Sequence, residues 1–211
     1  MQFTRIDSQE TMTRPLEFYF DFSSPYGYFA AAQIDALATK YGRTSIWRPI
    51  LLGAVFKITG QQPLTTIPLK GSYAVHDLKR SARWFELPFK MPSKFPIATA
   101  APCRAYYWLH DRDPDAAKVL AQALYRAYFA EDRDISNPEI TINVAAKLGH
   151  DKDGVAQALN DPAVKERLKT EIDAAMERGV FGSPYFVVDG EPFWGSDRLP
   201  QIEQWLAKGP W

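Results

Sequence analysis

Four short stretches carry residue types that could do chemistry together. The first is Ser24-Pro25-Tyr26-Gly27. Ser24 follows an aromatic run, Leu16 to Phe22, and precedes a proline, so it stands where a strand hands over to a helix. Free backbone N–H groups and the dipole at a helix start favour an anion. A hydroxyl there suits a thiolate brought in by a ligand; the plainer reading is a serine that only caps the helix. The second stretch runs from Gly179 to Tyr185. Its Ser183-Pro184 step enters a strand, which signals a cis X-Pro bond, with an ordinary trans turn proline as the alternative. The third is Trp194-Gly195-Ser196-Asp197-Arg198. Asp197 could hold a ligand's ammonium group while backbone N–H groups hold its carboxylate, or Ser196 and Asp197 could simply cap a helix. The fourth is Pro68 to Tyr73 with Asp77, Arg80, Arg83 and Trp84. Lys70 could meet an anionic ligand group. A solvated helix face is the alternative, and for Arg83 the preferred one. Asp77 and Arg80 stand three apart, so a local ion pair worth roughly a few tenths of a kcal/mol accounts for them.

These stretches need elements to hold them. Leu16–Phe22 reads as a buried strand bounded by Pro15 and Ser23-Ser24-Pro25. Apolar spacing predicts one helix from Pro25 to Tyr41, stopped by Gly42. Thr44–Ile50 reads as a second strand, which makes a βαβ unit with parallel pairing. Leu51 to Leu69 reads as a loop. Helices are expected over Gly71–Glu86, Thr99–His110, Pro114–Phe129, Pro138–Leu148 and Pro162–Arg178, with a proline-punctuated loop from Leu87 to Pro96. Tyr185–Val188 and Glu191–Trp194 form a hairpin about a type I′ turn at Asp189-Gly190, and Asp197–Ala207 is a final helix. The order is βαβ, helical insertion, ββα: an α/β chain with a thioredoxin-like core over 15–58 and 179–211, and an insertion over 59–178. Residues 1–14 read as a loose polar arm.

Composition narrows the function. The 211 residues carry 25 Lys plus Arg against 25 Asp plus Glu, so no basic excess points to nucleic acid or to an anionic membrane. No apolar run approaches the roughly 20 residues of a membrane span, and the N-terminus lacks a signal-peptide core. The single cysteine, Cys103, can form no internal disulfide, which fits a reducing cytoplasm. It reads as a small core residue. His76, His110 and His150 show no zinc spacing. Trp84, Tyr106, Tyr107 and Trp108 read as core or interface, with a share in an apolar pocket wall as the alternative.

Taken together, FYFDFSSPYGY, KGSY with DLKR, VFGSPYF and WGSDRL make the chain resemble the 2-hydroxychromene-2-carboxylate isomerase family. That family is related to kappa-class glutathione transferases and to DsbA-type oxidoreductases. Thioredoxin-like oxidoreductases carry Cys-x-x-Cys where this chain has Ser24 and Gly27, so disulfide exchange through that motif is excluded. The resemblance implies glutathione as cosubstrate, a small aromatic-derived second substrate and a homodimer. It implies that Ser24 hydrogen-bonds the glutathione sulfur and that Ser183, before cis Pro184, pairs with the cysteinyl backbone. Trp194, Gly195, Ser196, Asp197 and Arg198 would take the γ-glutamyl end; Gln61, Lys70 and Tyr73 would face the second substrate or the glycyl carboxylate. The chain departs from the family's asparagines at Gln61-Gln62 and after Phe95-Pro96. The expected activity is a glutathione-dependent isomerisation. A kappa-like transferase or peroxidase and a non-catalytic thiol-binding module are the alternatives.

Overall fold

The computed structural model describes residues 14–211, so all but the last residue of the expected N-terminal arm lies outside it. Leu16–Phe20 forms β1, with Leu16, Phe18 and Phe20 wholly buried. It ends two residues earlier than expected. The Asp21 carbonyl accepts from Ser24 N–H and from the Tyr125 hydroxyl, so it is not available to a neighbouring strand. β2, Ser45–Pro49, pairs with β1 in parallel. β3, Tyr185–Val188, lies antiparallel on the other side of β1 and leads into β4, Glu191–Trp194. The sheet order is therefore β2-β1-β3-β4. The Asp189-Gly190 turn has positive φ at both residues, as a type I′ hairpin requires.

The helix expected from Pro25 to Tyr41 is two helices. α1 spans Pro25–Ala31 and α2 spans Ile34–Lys40. Gln33 N–H bonds back only three residues, to Ala30, and the tighter turn re-phases the chain so that Ile34 and Ala38 face the core. The expected loop over 51–69 contains a helix, α3, Leu52–Thr59, and a 3-10 turn at Leu64–Thr66. Then come α4 (Lys70–Trp84), α5 (Ala100–His110), α6 (Pro114–Phe129), α7 (Pro138–Lys147), α8 (Lys152–Ala158) and α9 (Pro162–Glu177). α8 was not expected; its cap is Asp151, which accepts from Asp153 and Gly154 N–H groups. The last helix opens with a 3-10 turn, Ser196–Arg198, before α10, Leu199–Lys208.

The core is aromatic. Phe18, Phe20, Phe22 and Trp47 pack edge-on or stacked, and Phe20 meets Tyr106 of α5 and Tyr125 of α6. Such pairs add about 0.5–1.5 kcal/mol each beyond area burial. The tyrosine hydroxyls find backbone partners: Tyr106 donates to Trp47 O, Tyr107 to Pro49 O and Tyr125 to Asp21 O. The helical layer is thus bonded to the middle of β2 through Trp47 and to the C-terminal ends of β1 and β2, where ligands bind in parallel α/β sheets. Cys103 is buried in this core, and burial pushes its thiol well up. Among the described residues no helix is long and apolar enough to cross a membrane.

Candidate functional site

Ser24 is the N-cap of α1 and lies in the β region, φ −94° and ψ 113°. Its Oγ accepts from Gly27 N–H at 3.1 Å and donates to the Ser183 carbonyl at 2.9 Å. The side chain thus caps the helix and ties it to the Ser183-Pro184 loop at once. The Ser183-Pro184 bond is cis. Ser183 Oγ accepts from Asp21 N–H at 2.8 Å, and the Pro184 carbonyl accepts from Gly195 N–H at 3.0 Å. Ser24, the cis-proline loop and the turn that opens α10 therefore form one hydrogen-bonded series. In this arrangement the Ser24 proton points at a carbonyl; serving a ligand's sulfur requires the hydroxyl to turn, a rotation that leaves the cap bond in place.

Gly27 stands where a second redox cysteine would be. A Cβ there would meet Tyr125 Oη at 2.6 Å and Ser183 Oγ at 3.0 Å. No side chain fits without displacing the buried tyrosine that holds the end of β1. The loss of the cysteine pair is thus built into the packing.

A cavity of 1550 Å³ opens over this series. Ser24, Ser183, Pro184 and residues 194–198 form one wall. Trp194 packs edge-on against Phe181 and closes over Gly182, which has no room for a Cβ beneath the indole. Ser196 is buried, and Asp197 and Arg198 stand exposed at the rim, 3.5 Å apart. The opposite wall is mainly apolar: Phe56 of α3, Leu64 and Ile67 around the 3-10 turn, and Leu78 and Trp84 of α4. Gln61 belongs to this wall. Lys70 and Tyr73 do not; both point to solvent, with Tyr73 62% exposed. The cations on the walls are Lys40, Arg80 and Arg198.

Sequence reasoning missed one bond of Asp77 and the whole part played by Asp21, both acids of the cavity walls. Asp77 pairs with Arg80 as its spacing suggests, and it also accepts from Tyr26 Oη at 2.7 Å, bonding α4 to α1. Burial and then that acid push the Tyr26 phenol up. Asp21 is 3% exposed. Its carboxylate accepts from Ser23 N–H, Leu52 N–H and Thr99 Oγ1, at 2.7, 2.6 and 2.9 Å. Burial raises its pKa, and these three donors offset the rise in part. The available signal was a charge within the aromatic run FYFDF.

Residues 15–207 match the family of the DSBA-like thioredoxin domain. The chain is 31% identical over 199 residues to a 2-hydroxychromene-2-carboxylate isomerase of Sphingobium xenophagum, covering 92% of this chain and 99% of that protein. It is 25% identical to glutathione S-transferase kappa 1 of Homo sapiens, covering 94% and 96%. A solved 2-hydroxychromene-2-carboxylate isomerase superposes with a TM-score of 0.84 at 27% identity, covering 92% of this chain and 95% of that one.

Proposed function

The chain belongs to the DSBA-like thioredoxin family, among the 2-hydroxychromene-2-carboxylate isomerases and kappa-class glutathione transferases, and from this premise we propose that it is a glutathione-dependent isomerase of a small aromatic-derived hydroxy acid. The observation that carries the reading is Ser24: a buried hydroxyl at a helix N-terminus, bonded to the residue before a cis-proline, on the wall of a cavity. That cavity exceeds the roughly 300–1,000 Å³ of a usual small-molecule site, so it has room for two ligands.

The residues present fit glutathione. Its two ends and its thiol ask for a carboxylate beside free N–H groups, a peptide-like edge and an anion-stabilising point. Asp197 with the turn at Ser196, the Ser183 backbone and Ser24 offer these in turn. When bound, glutathione supplies a thiolate whose addition to the substrate and later departure split one hard isomerisation into two easier steps. Ser24 turns its hydroxyl from the Ser183 carbonyl to the sulfur, and the N-terminus of α1 favours the negative charge there. Ser24 is then a donor and not the nucleophile. The apolar wall of Phe56, Leu64, Ile67 and Trp84 takes the aromatic ring and excludes water. Gln61 and its neighbour Gln62 offer side-chain amides to a polar group of the substrate on that wall.

Calorimetric titration with reduced glutathione, and with S-methylglutathione as comparison, tests the reading. Micromolar to low-millimolar binding that weakens on methylation supports it. Absence of binding by either overturns it. The kappa-class relatives favour a second outcome, in which glutathione ends on the product or is oxidised; product analysis separates it from isomerisation. The reading includes a homodimer, supported by the exposed apolar side chains Ile58 and Leu69, which lie off the cavity, and a reducing cytoplasmic setting, supported by the lone buried Cys103.

A further inference from the structure

We propose that Asp21 is a positioning residue that ties the thiol-binding wall of the cavity to the wall facing the second substrate, an inference that rests on the reading of the site above. Its main chain belongs to the first wall. Asp21 N–H donates to Ser183 Oγ at 2.8 Å, and its carbonyl accepts from Ser24 N–H at 2.8 Å. Its carboxylate belongs to the second. Oδ2 accepts from Leu52 N–H at 2.6 Å, and Leu52 is the first residue of α3. That helix has no capping side chain of its own, since Leu51 occupies the N-cap position. Asp21 therefore supplies from a distance both the acceptor and the negative charge that a helix start favours. Oδ1 accepts from Thr99 Oγ1, which sits at the N-cap of α5 yet makes no cap bond there.

The charge state of Asp21 matters because, among the described residues, nothing cationic compensates it. Among the described residues it makes no ion pair. The titratable groups facing it are Cys103 from α5 and Tyr125 and Tyr128 from α6, all neutral acids whose own titration burial pushes up. α1, α3 and the cis-proline loop present only Ser24, Leu52 and Ser183. A proton on the carboxylate turns one acceptor position into a donor, and Leu52 N–H, the single donor on Oδ2, is the bond most weakened. Acid thus loosens the root of α3, and with it Phe56 on the apolar wall.

S-benzylglutathione and S-methylglutathione separate the walls, because only the benzyl group reaches the apolar one. In D21N the amide oxygen can still serve Ser23 and Thr99, but an NH2 faces Leu52 N–H. The expected result is glutathione affinity within about twofold of the parent and a loss of about tenfold in the preference for S-benzyl over S-methyl, the effect of one charge-assisted hydrogen bond. An unchanged preference overturns the proposal. A variant that fails to fold leaves the parent protein to decide. Its Leu52 amide resonance and Asp21 carboxyl resonance should titrate together between pH 3 and 9, with a midpoint above the ordinary aspartate value of 3.8. A Leu52 amide that does not move over that range overturns the proposal. If the parent binds neither glutathione derivative, the reading of the site fails, and the resonance titration still decides whether Asp21 holds α3.

Discussion

The two walls of the cavity are built in opposite ways. The Ser24 wall is made of short polar motifs, a serine cap, a cis-proline loop and a turn opening on Gly195, and bonds spanning 159 and 162 residues of chain join the first two. Its serines, Ser24, Ser183 and Ser196, are buried, and around them it is sterically full, to the point that Gly27 has no room for a Cβ. The α3–α4 wall is apolar and part exposed, and long-range bonds hold it, from Asp21 to Leu52 and from Asp77 to Tyr26. The difference teaches where chemistry and selectivity are divided. On the function proposed, the wall that would hold a charge is fixed tightly, and the wall that would accept a ring is anchored at its ends.

The comparison can be broken by substitution. Ser24→Ala should have the largest effect, lowering turnover about a hundredfold, as loss of an anion-stabilising donor does. It should also raise the bound thiol's pKa and lower stability by about 1 kcal/mol through the lost cap, with the fold kept. Equal thiolate ultraviolet absorbance for both proteins across pH would remove that role. Next is Gly27→Ala, expected to cost about 1–3 kcal/mol by overpacking against Tyr125 and Ser183. A denaturant midpoint that stays put would show that this wall is looser than described. Asp197→Ala should weaken glutathione binding about tenfold while changing turnover at saturation little, as loss of an exposed charge contact in binding does. An unchanged affinity would move the γ-glutamyl end elsewhere. Lys70→Ala, off the cavity wall, should change the KM of either substrate less than twofold. A larger change would mean that α4 turns inward when ligands bind.

Acid titration sharpens the same contrast with two residues of one chain segment. Burial would raise Glu17, but bonds from Arg178 and Tyr19 and the charge of Arg48 overcome it, and its pKa ends lowered from 4.5. Its stabilising contribution is full above that value and is lost as pH falls through the folded value. Asp21 has the opposite sign. Its pKa is raised from 3.8, so stability from this group falls as pH rises from 3.8 through the folded value. Stability measured against pH should therefore lose part of its acid limb in Glu17→Gln. An identical limb in the parent and the variant would show that the Glu17 cluster is already disrupted in solution.

Much of the Ser24 wall was legible because its signals are local. Serine before proline after an aromatic strand, proline entering a strand, and Asp-Gly between two short apolar runs each have a physical meaning within a few residues. The second wall was not. α3 begins without a polar cap and contains Gly53, so its sequence reads as loop, and its N-terminal acceptor lies 31 residues away. Asp77 read as a surface ion-pair member because its partner Tyr26 lies 51 residues away. Lys70 was placed near the cavity by its position in the chain, but the first turn of α4 directs it to solvent.

The order of strands and helices along the chain, the Ser24 cap, the cis-proline loop and the absence of a cysteine pair were legible in the sequence, since short-range sterics and hydrogen bonding decide these, whereas neither Ser196 nor Asp197 makes the cap bond that the sequence allowed. It took the tertiary structure to show that Gly27 must lack a side chain, that Asp21 is buried with no cation beside it among the described residues, and that its carboxylate starts a helix it does not belong to. The physical reason is that burial and charge are properties of what surrounds a residue, and for Asp21 the surroundings come from Ser183, Leu52 and Thr99, three segments that the chain brings together only when folded.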